Sequence, residues 1–289
     1  MDKMDNDGFT IVGRKKKNNN DKIISKKRND KNNGFTYKSY KTKKTGTNKN
    51  EISTTTIQNR IEEKRVKILE SKFYIQLIFE LQIIKPLIQY YRSKENPEYF
   101  DVDIVSYGIG NFTKSRISQY QFALCILLKL NLKLNGKVYF YDPVFTKIEK
   151  EVIKNYGYEN IEKNENGKRN IEKMTIFYMP HCNYNLYNNV LGTNWEFDKL
   201  SKLILIGNDF SMYDDIMVSS KFEREAPFLK AILPLTKKIS FPEIFESNDI
   251  FNNTTIHFFP KSNILEQSKK FWEMKDKYEL KELTEGTIE

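Results

Sequence analysis

Cysteine and histidine are scarce, with two of each in 289 residues. Two cysteines exclude a disulfide framework and a metal site built on cysteine alone. Cys125 lies within the apolar run Ala-Leu-Cys-Ile-Leu-Leu, where a thiol behaves as a small core residue. No apolar run approaches the roughly 20 residues that span a bilayer, which argues against a membrane helix. The first residues are acidic and then basic with no apolar segment, so no secretory leader is expected. The chain is expected in the cytoplasm, with the nucleus as a second destination.

Apolar residues make up 39% of the chain, on the low side for a globular protein, and they are unevenly placed. Residues 1–60 hold almost no apolar clusters. They carry 16 Lys and Arg against 6 Asp and Glu, an excess of ten positive charges. The net charge of the whole chain is also +10, so the remainder is neutral. The basic character therefore belongs to an arm, residues 1–58, whose Lys/Asn-rich composition cannot bury enough surface to offset ordering entropy. One apolar island, Gly8-Phe9-Thr10-Ile11-Val12, precedes Arg14-Lys15-Lys16-Lys17, and Ser25-Lys26-Lys27-Arg28 follows. A polyanionic partner would meet this arm first, so residues 14–28 are the candidate nucleic-acid contact.

Residues 59–92 read as one leading helix, with Val66, Leu69, Phe73, Leu77 and Leu81 at spacings of three and four, ending or kinking at Lys85-Pro86. Strands are then expected near 103–107, 137–141, 158–161, 174–179, 203–206, 237–239 and 254–259. Helices fall between them at 115–132, from Thr146 to Gly157, around 186–191 and at 222–233. Thr146-x-x-Glu149 is a capping-box pattern. Strands alternating with helices predict an α/β fold of Rossmann-like type, a mostly parallel sheet with helices on both faces, over residues 59–262. Residues 263–289 read as a charged helical tail.

In open α/β sheets ligands sit at the carboxyl ends of the strands, where the strand order reverses. Four polar loops fall at such ends: Tyr107-Gly108-Ile109-Gly110-Asn111, Asp142-Pro143, Pro180-His181-Cys182-Asn183 and Gly207-Asn208-Asp209. The candidate ligand-binding set is Tyr107, Gly108, Gly110, Asn111, Asp142, His181, Cys182, Asn208 and Asp209. Thr113 stands where a dinucleotide fingerprint needs its third glycine, which disfavours a pyrophosphate cradle. An S-adenosylmethionine-like nucleotide needs only the tight glycine turn and an acidic residue after the second strand, a place that Asp142 takes. His181 and Cys182 are donors that suit a metal or haem iron. Sequence neighbours seldom ligate one ion or form a nucleophilic pair, however, and a loop histidine bonding backbone is the simpler reading. No metal and no catalytic residue is assigned. The aromatic residues Tyr178, Tyr184, Tyr187, Trp195, Phe210 and Tyr213 read mostly as core and rim packing.

Taken together, these strings resemble the SRR1-like family. They are Tyr-Gly-Ile-Gly-Asn-Phe (107–112), Tyr-Asp-Pro-Val-Phe (141–145), Asn164-Glu165 with Gly167-Lys168-Arg169, and Phe-Tyr-Met-Pro-His-Cys (177–182). Leu-Ile-Gly-Asn-Asp-Phe-Ser-x-Tyr (205–213) and Asn253 to Pro260 continue the match, which covers roughly 95–262. The island at 8–12 is similar to the family's N-terminal signature. The resemblance implies a regulatory protein linked to circadian-clock and light signalling and to control of haem biosynthesis, with no settled catalytic activity. Where many members read Pro-His-Cys-Pro this chain has Asn183, which removes a Cys-Pro haem-regulatory motif and weakens direct haem sensing. Three functions follow as alternatives: a regulatory protein binding a partner or small ligand, a methyltransferase-like enzyme, and a nucleic-acid binder working through the arm.

Overall fold

A computed structural model describes residues 52–283. The island at 8–12 and the basic runs within 14–28 lie outside the described residues, and with them the expected nucleic-acid contact. The leading helix expected over 59–92 is three helices: α1 (Thr54–Leu69), α2 (Lys72–Leu81) and α3 (Lys85–Gln89). The chain breaks at Ser71, whose backbone is extended and whose hydroxyl accepts the Tyr74 N–H at 3.2 Å. A serine with this geometry opens a new helix instead of continuing the old one. Pro86 then sits in the first turn of α3, where its missing N–H costs nothing. The break also rotates the buried face. Ile57, Ile61 and Ile68 are buried on α1, whereas Val66 and Leu69, expected inside, are 45% and 40% exposed.

The α/β core follows as β1 (Asp103–Tyr107), α4 (Arg116–Asn131), β2 (Val138–Tyr141), α5 (Lys147–Asn155), β3 (Glu159–Asn160) and β4 (Thr175–Met179). After these come α6 (Tyr184–Thr193), α7 (Phe197–Leu200), β5 (Leu203–Asn208), α8 (Phe210–Ile216), α9 (Ser219–Glu225) and α10 (Pro227–Ile232). The helix expected over 222–233 is divided at Ala226, because Pro227 pushes the residue before it out of the helical region. A short 3-10 turn leads to β6 (Lys237–Ser240), α11 (Asn248–Phe251) and β7 (Thr254–Phe258). The last helices are α12 (Lys261–Ile264), α13 (Lys269–Trp272) and α14 (Met274–Lys277).

The seven strands form one sheet in the order β3-β2-β1-β4-β5-β7-β6. The pairs from β3 to β5 are parallel, and β7 lies antiparallel between β5 and β6. The chain winds outward from β1 through β2 to β3, then returns to β4 on the other side of β1, so the order reverses between β1 and β4.

Alternation along the strands builds two cores, one on each face. Ile104, Phe140, Ile176, Tyr178, Ile204 and Ile206 pack on one side with α1, α4 and α5. Val105, Tyr107, Phe177, Met179 and Leu205 pack on the other with α6 and α10. Helix α4 is buried continuously from Ser118 to Leu128. It has no polar face over that stretch because the sheet, α1 and α11 enclose it. The segment between β6 and β7 folds over this first core, where Phe73 of α2 stacks on Phe251 with ring centres 4.7 Å apart and meets Phe241 and Phe245 edge-on.

Residues 261–283 pack against the second core. The Trp195 indole N–H donates to the Phe271 carbonyl at 2.7 Å, the Asn189 amide donates to the Lys281 carbonyl at 2.8 Å, and Leu283 is buried. Among the described residues no helix is long and apolar enough to cross a membrane.

Candidate functional site

The point where the strand order reverses is built from the glycine turn that follows β1. Gly108 and Gly110 have φ of +71° and +83°, a region that penalises any side chain. A Cβ on Gly110 would also lie 2.7 Å from the Ser118 hydroxyl, which would have to turn away to admit it. Residues from β2 and α5 then take up its N–H groups. The Gly110 N–H donates to Asp142 Oδ2 at 2.7 Å, while Asp142 Oδ1 accepts the Val144 N–H at 3.0 Å. The fully buried Glu149 carboxylate accepts the Thr113 N–H at 3.0 Å and the Thr146 N–H at 2.7 Å, and Asn111 Nδ2 lies 3.4 Å from it. Asn111 Oδ1 accepts the Lys114 N–H and the Thr113 hydroxyl. Two carboxylates of the chain thus occupy donors that a phosphate cradle would turn toward its ligand. This is a second reason, beside Thr113, that a pyrophosphate does not fit.

The tip of β4 bends over the same turn. His181 adopts a left-handed backbone, φ +57°, and its N–H donates to Asn208 Oδ1 at 2.9 Å. Its ring Nε2 lies 3.4 Å from the Ile250 carbonyl, the backbone bond expected of a loop histidine. Cys182 points the other way. Its buried Sγ lies 3.4 Å from the Tyr107 carbonyl and ties the tips of β4 and β1. Burial pushes the Cys182 thiol pKa far above its ordinary value, with the nearby Asp142 adding to the shift. Asn183 opens α6, its side chain accepting the Asn185 N–H at 2.9 Å.

The tip of β5 completes the edge. Asn208 Nδ2 donates to the Cys182 carbonyl at 3.0 Å and lies 2.9 Å from the Tyr213 hydroxyl, so Asn208 clasps the β4 loop from both ends. The Tyr187 hydroxyl, 2.5 Å from the Met179 carbonyl, accepts the Asn208 N–H. Asp209 shares this edge, but its side chain turns toward β6. It accepts the Ser211 N–H at the start of α8 and pairs with Lys238 at 2.7 Å. Burial alone would raise the Asp209 pKa; the Lys238 ammonium and the Ser211 N–H outweigh it and hold it below the usual carboxylate value.

The tertiary structure therefore brings Gly108, Gly110, Asn111, Asp142, His181, Cys182 and Asn208 together with the Tyr107 backbone. The Tyr107 side chain leaves toward the second core, where its hydroxyl donates to Glu165 at 2.5 Å and Arg169 clamps that carboxylate with two bonds of 2.7 and 2.9 Å. Burial first, and then the Glu165 charge, hold the Tyr107 hydroxyl protonated. Sequence reasoning did not place Glu149, Glu165 or Tyr187 in this network. Two had a signal: the capping box for Glu149 and the four-residue spacing of Glu165 and Arg169 for their ion pair. The Ile250 carbonyl roofs the edge from above, reached by His181 and, at 3.4 Å, by Gln121 Nε2 of α4. A cavity of about 280 Å³ opens elsewhere, between the sheet face at Val105 and Tyr139 and the segment from Arg169 to Lys173. Among the described residues no three His, Cys, Asp or Glu side chains are placed to hold a metal ion.

Sheet, glycine turn and bonded strand tips define a Rossmann-like α/β protein organised around one switch point. The SRR1 domain matches residues 77–258, more than half of the chain, and the chain belongs to the SRR1 family. It is 30% identical to Protein SENSITIVITY TO RED LIGHT REDUCED 1 of Arabidopsis thaliana, over 70% of this chain and 74% of that protein. It is 32% identical to an SRR1-like protein of Mus musculus over 45% of this chain and 53% of that one. With an SRR1-like protein of Drosophila melanogaster it shares 26% identity over 77% and 75%. A solved structure of the plantazolicin methyltransferase BpumL with SAH aligns over 71% of this chain and 99% of that one at 10% identity, but its TM-score of 0.26 is too low to carry an argument.

Proposed function

We propose that this chain is a regulatory protein whose Rossmann-like domain recognises a partner or small ligand at the strand-tip edge. The regulation would be the light-, clock- and haem-linked control that resemblance to the family implies. The name of the Arabidopsis relative, which speaks of red light, supports the first of these. The observation that carries the reading is the convergence of three strand tips where the sheet order reverses, Cys182 on Tyr107 and His181 on Asn208. That is where open α/β sheets take ligands. The polar groups there bond one another, which gives a rigid recognition surface. Native mass spectrometry of the freshly purified full-length protein tests it. A bound small molecule or protein, lost in Asn208→Leu, is the expected result. Turnover on a substrate that Asp142→Ala abolishes would count against a purely regulatory role.

A second reading keeps the same edge and places an S-adenosylmethionine-like nucleotide there, as cofactor of a methyltransferase-like enzyme. It draws on Asp142, the acidic residue at the end of β2 beside the glycine turn. Calorimetric titration with adenosylhomocysteine decides it: absence of heat at high protein concentration ends this reading.

A further inference from the structure

Helix α2 buries Phe73, Tyr74, Leu77 and Leu81 on its inner side. Its outer side is also apolar. Ile75 is 67% exposed, Phe79 76% and Ile83, just beyond the helix, 54%. The backbone keeps a helical turn through Gln82 (φ −60°, ψ −28°), so Ile75, Phe79 and Ile83 form one ridge at four-residue spacing. Isolated exposed apolar residues need no explanation, but a ridge of three does.

The order of residues along this face says what covers it. Outward from Phe79, the exposed positions three residues away are Gln76 and Gln82, and those four residues away are Ile75 and Ile83. The pattern is the same in both directions. Seven residues away on either side stand Lys72 and Pro86, both exposed, so the single charge on the stripe has a neutral counterpart. In a chain with 30% charged residues, a stripe with one charge, symmetric about Phe79 over its central positions, suits contact with itself. A twofold contact sets the same patch against itself in reverse, and a patch rich in one charge would repel. An oppositely charged partner would call for a run of one charge along the rim, whereas the stripe carries only Lys72 and its half-buried neighbours Glu80 and Lys85 are of opposite sign.

We infer that a second copy of this chain docks on α2 about a twofold axis passing near Phe79. Phe79 meets Phe79 of the other copy, Ile75 meets Ile83, and Gln76 meets Gln82. Ridges at four-residue spacing interdigitate at a crossing angle of about −50°. Three side chains of this size offer on the order of 300–400 Å² together. That is roughly half of what a standard interface buries per partner, so the dimer is weak and depends on concentration.

Sedimentation velocity on the full chain, from about 1 to about 200 µM, tests this. A monomer–dimer equilibrium is expected in that range. Phe79→Lys and Phe79→Glu, each alone, set like charges against each other at the axis and weaken dimerisation at least tenfold. An equimolar mixture of the two associates again. Ile75→Lys with Ile83→Glu in one chain keeps the dimer, whereas Ile75→Lys with Ile83→Lys loses it. Circular dichroism checks that each variant folds, and all three positions are on the surface. A monomer at every concentration, or a dimer that these substitutions leave unchanged, overturns the inference.

Discussion

The Asp142 carboxylate accepts the Gly110 N–H at 2.7 Å, across two strand tips that are 32 residues apart in sequence. This bond turns the glycine turn into a closed structural unit. The acidic residue at the end of the second strand binds the turn itself, with its other oxygen on the Val144 N–H. Any ligand of this edge meets a turn that is already shaped.

Asp142→Asn tests that arrangement. Both carboxylate oxygens accept backbone N–H groups, and an asparagine offers one oxygen and one N–H, so one of the two donors loses its partner. The expected loss is about 1.5–3 kcal/mol of stability, read as a lower midpoint in urea.

His257 is wholly buried on β7 and stacks on Phe210 with centres 3.7 Å apart. Its Nε2 accepts the Phe210 N–H, which leaves Nδ1 to donate to the Leu205 carbonyl, and the neutral ring satisfies both. Burial lowers its pKa from 6.5 to about 3. The unfolded chain protonates this residue below about pH 6.5, while the folded site refuses the proton until about pH 3. The contribution is therefore complete above pH 6.5 and is lost as the pH falls, by up to about 1.4 kcal/mol per pH unit. His257→Phe should remove that component of the slope, seen by comparing urea midpoints of the two proteins at pH 4.5 and 7.

Neither thiol should react in the folded protein. Burial pushes Cys125 up to about 12 and raises Cys182 further. Thiolate is then negligible at neutral pH. A colorimetric thiol reagent should titrate no cysteine in buffer and both in denaturant. Rapid labelling of Cys182 in the native state would contradict its contact with the Tyr107 carbonyl.

Ending the chain at Pro260 should destabilise the second core. Trp195 loses the Phe271 carbonyl and the Phe271 ring, whose centre lies 4.6 Å away, and Leu283 leaves its buried place. A cost of about 3–5 kcal/mol is expected, comparable to deleting a large core side chain. With Trp272 also removed, Trp195 becomes the single tryptophan, and its emission should shift to the red.

Much of the fold was legible because its signals are local. The run Asp103–Tyr107, the helical spacing after Ser115 and the stop at Gly157 follow from side-chain periodicity and backbone freedom within a few residues. The sequence also held a serine at position 71 that starts a helix, but the apolar spacing ran on across it and hid the break. The placement of four polar loops at strand ends was legible for the same local reason, as each marks where an apolar run stops. What those polar groups bind was not. Asp142 could face a ribose or an amide, and Cys182 an iron or a carbonyl, and each alternative is compatible with its neighbours in sequence.

Tertiary structure alone decided that Asp142 holds Gly110, that Asp209 turns to Lys238, and that β7 enters between β5 and β6. The physical reason is range. Secondary structure is chosen by contacts a few residues apart, whereas a hydrogen-bond partner is chosen by which distant donors the packed sheet brings within about 3 Å.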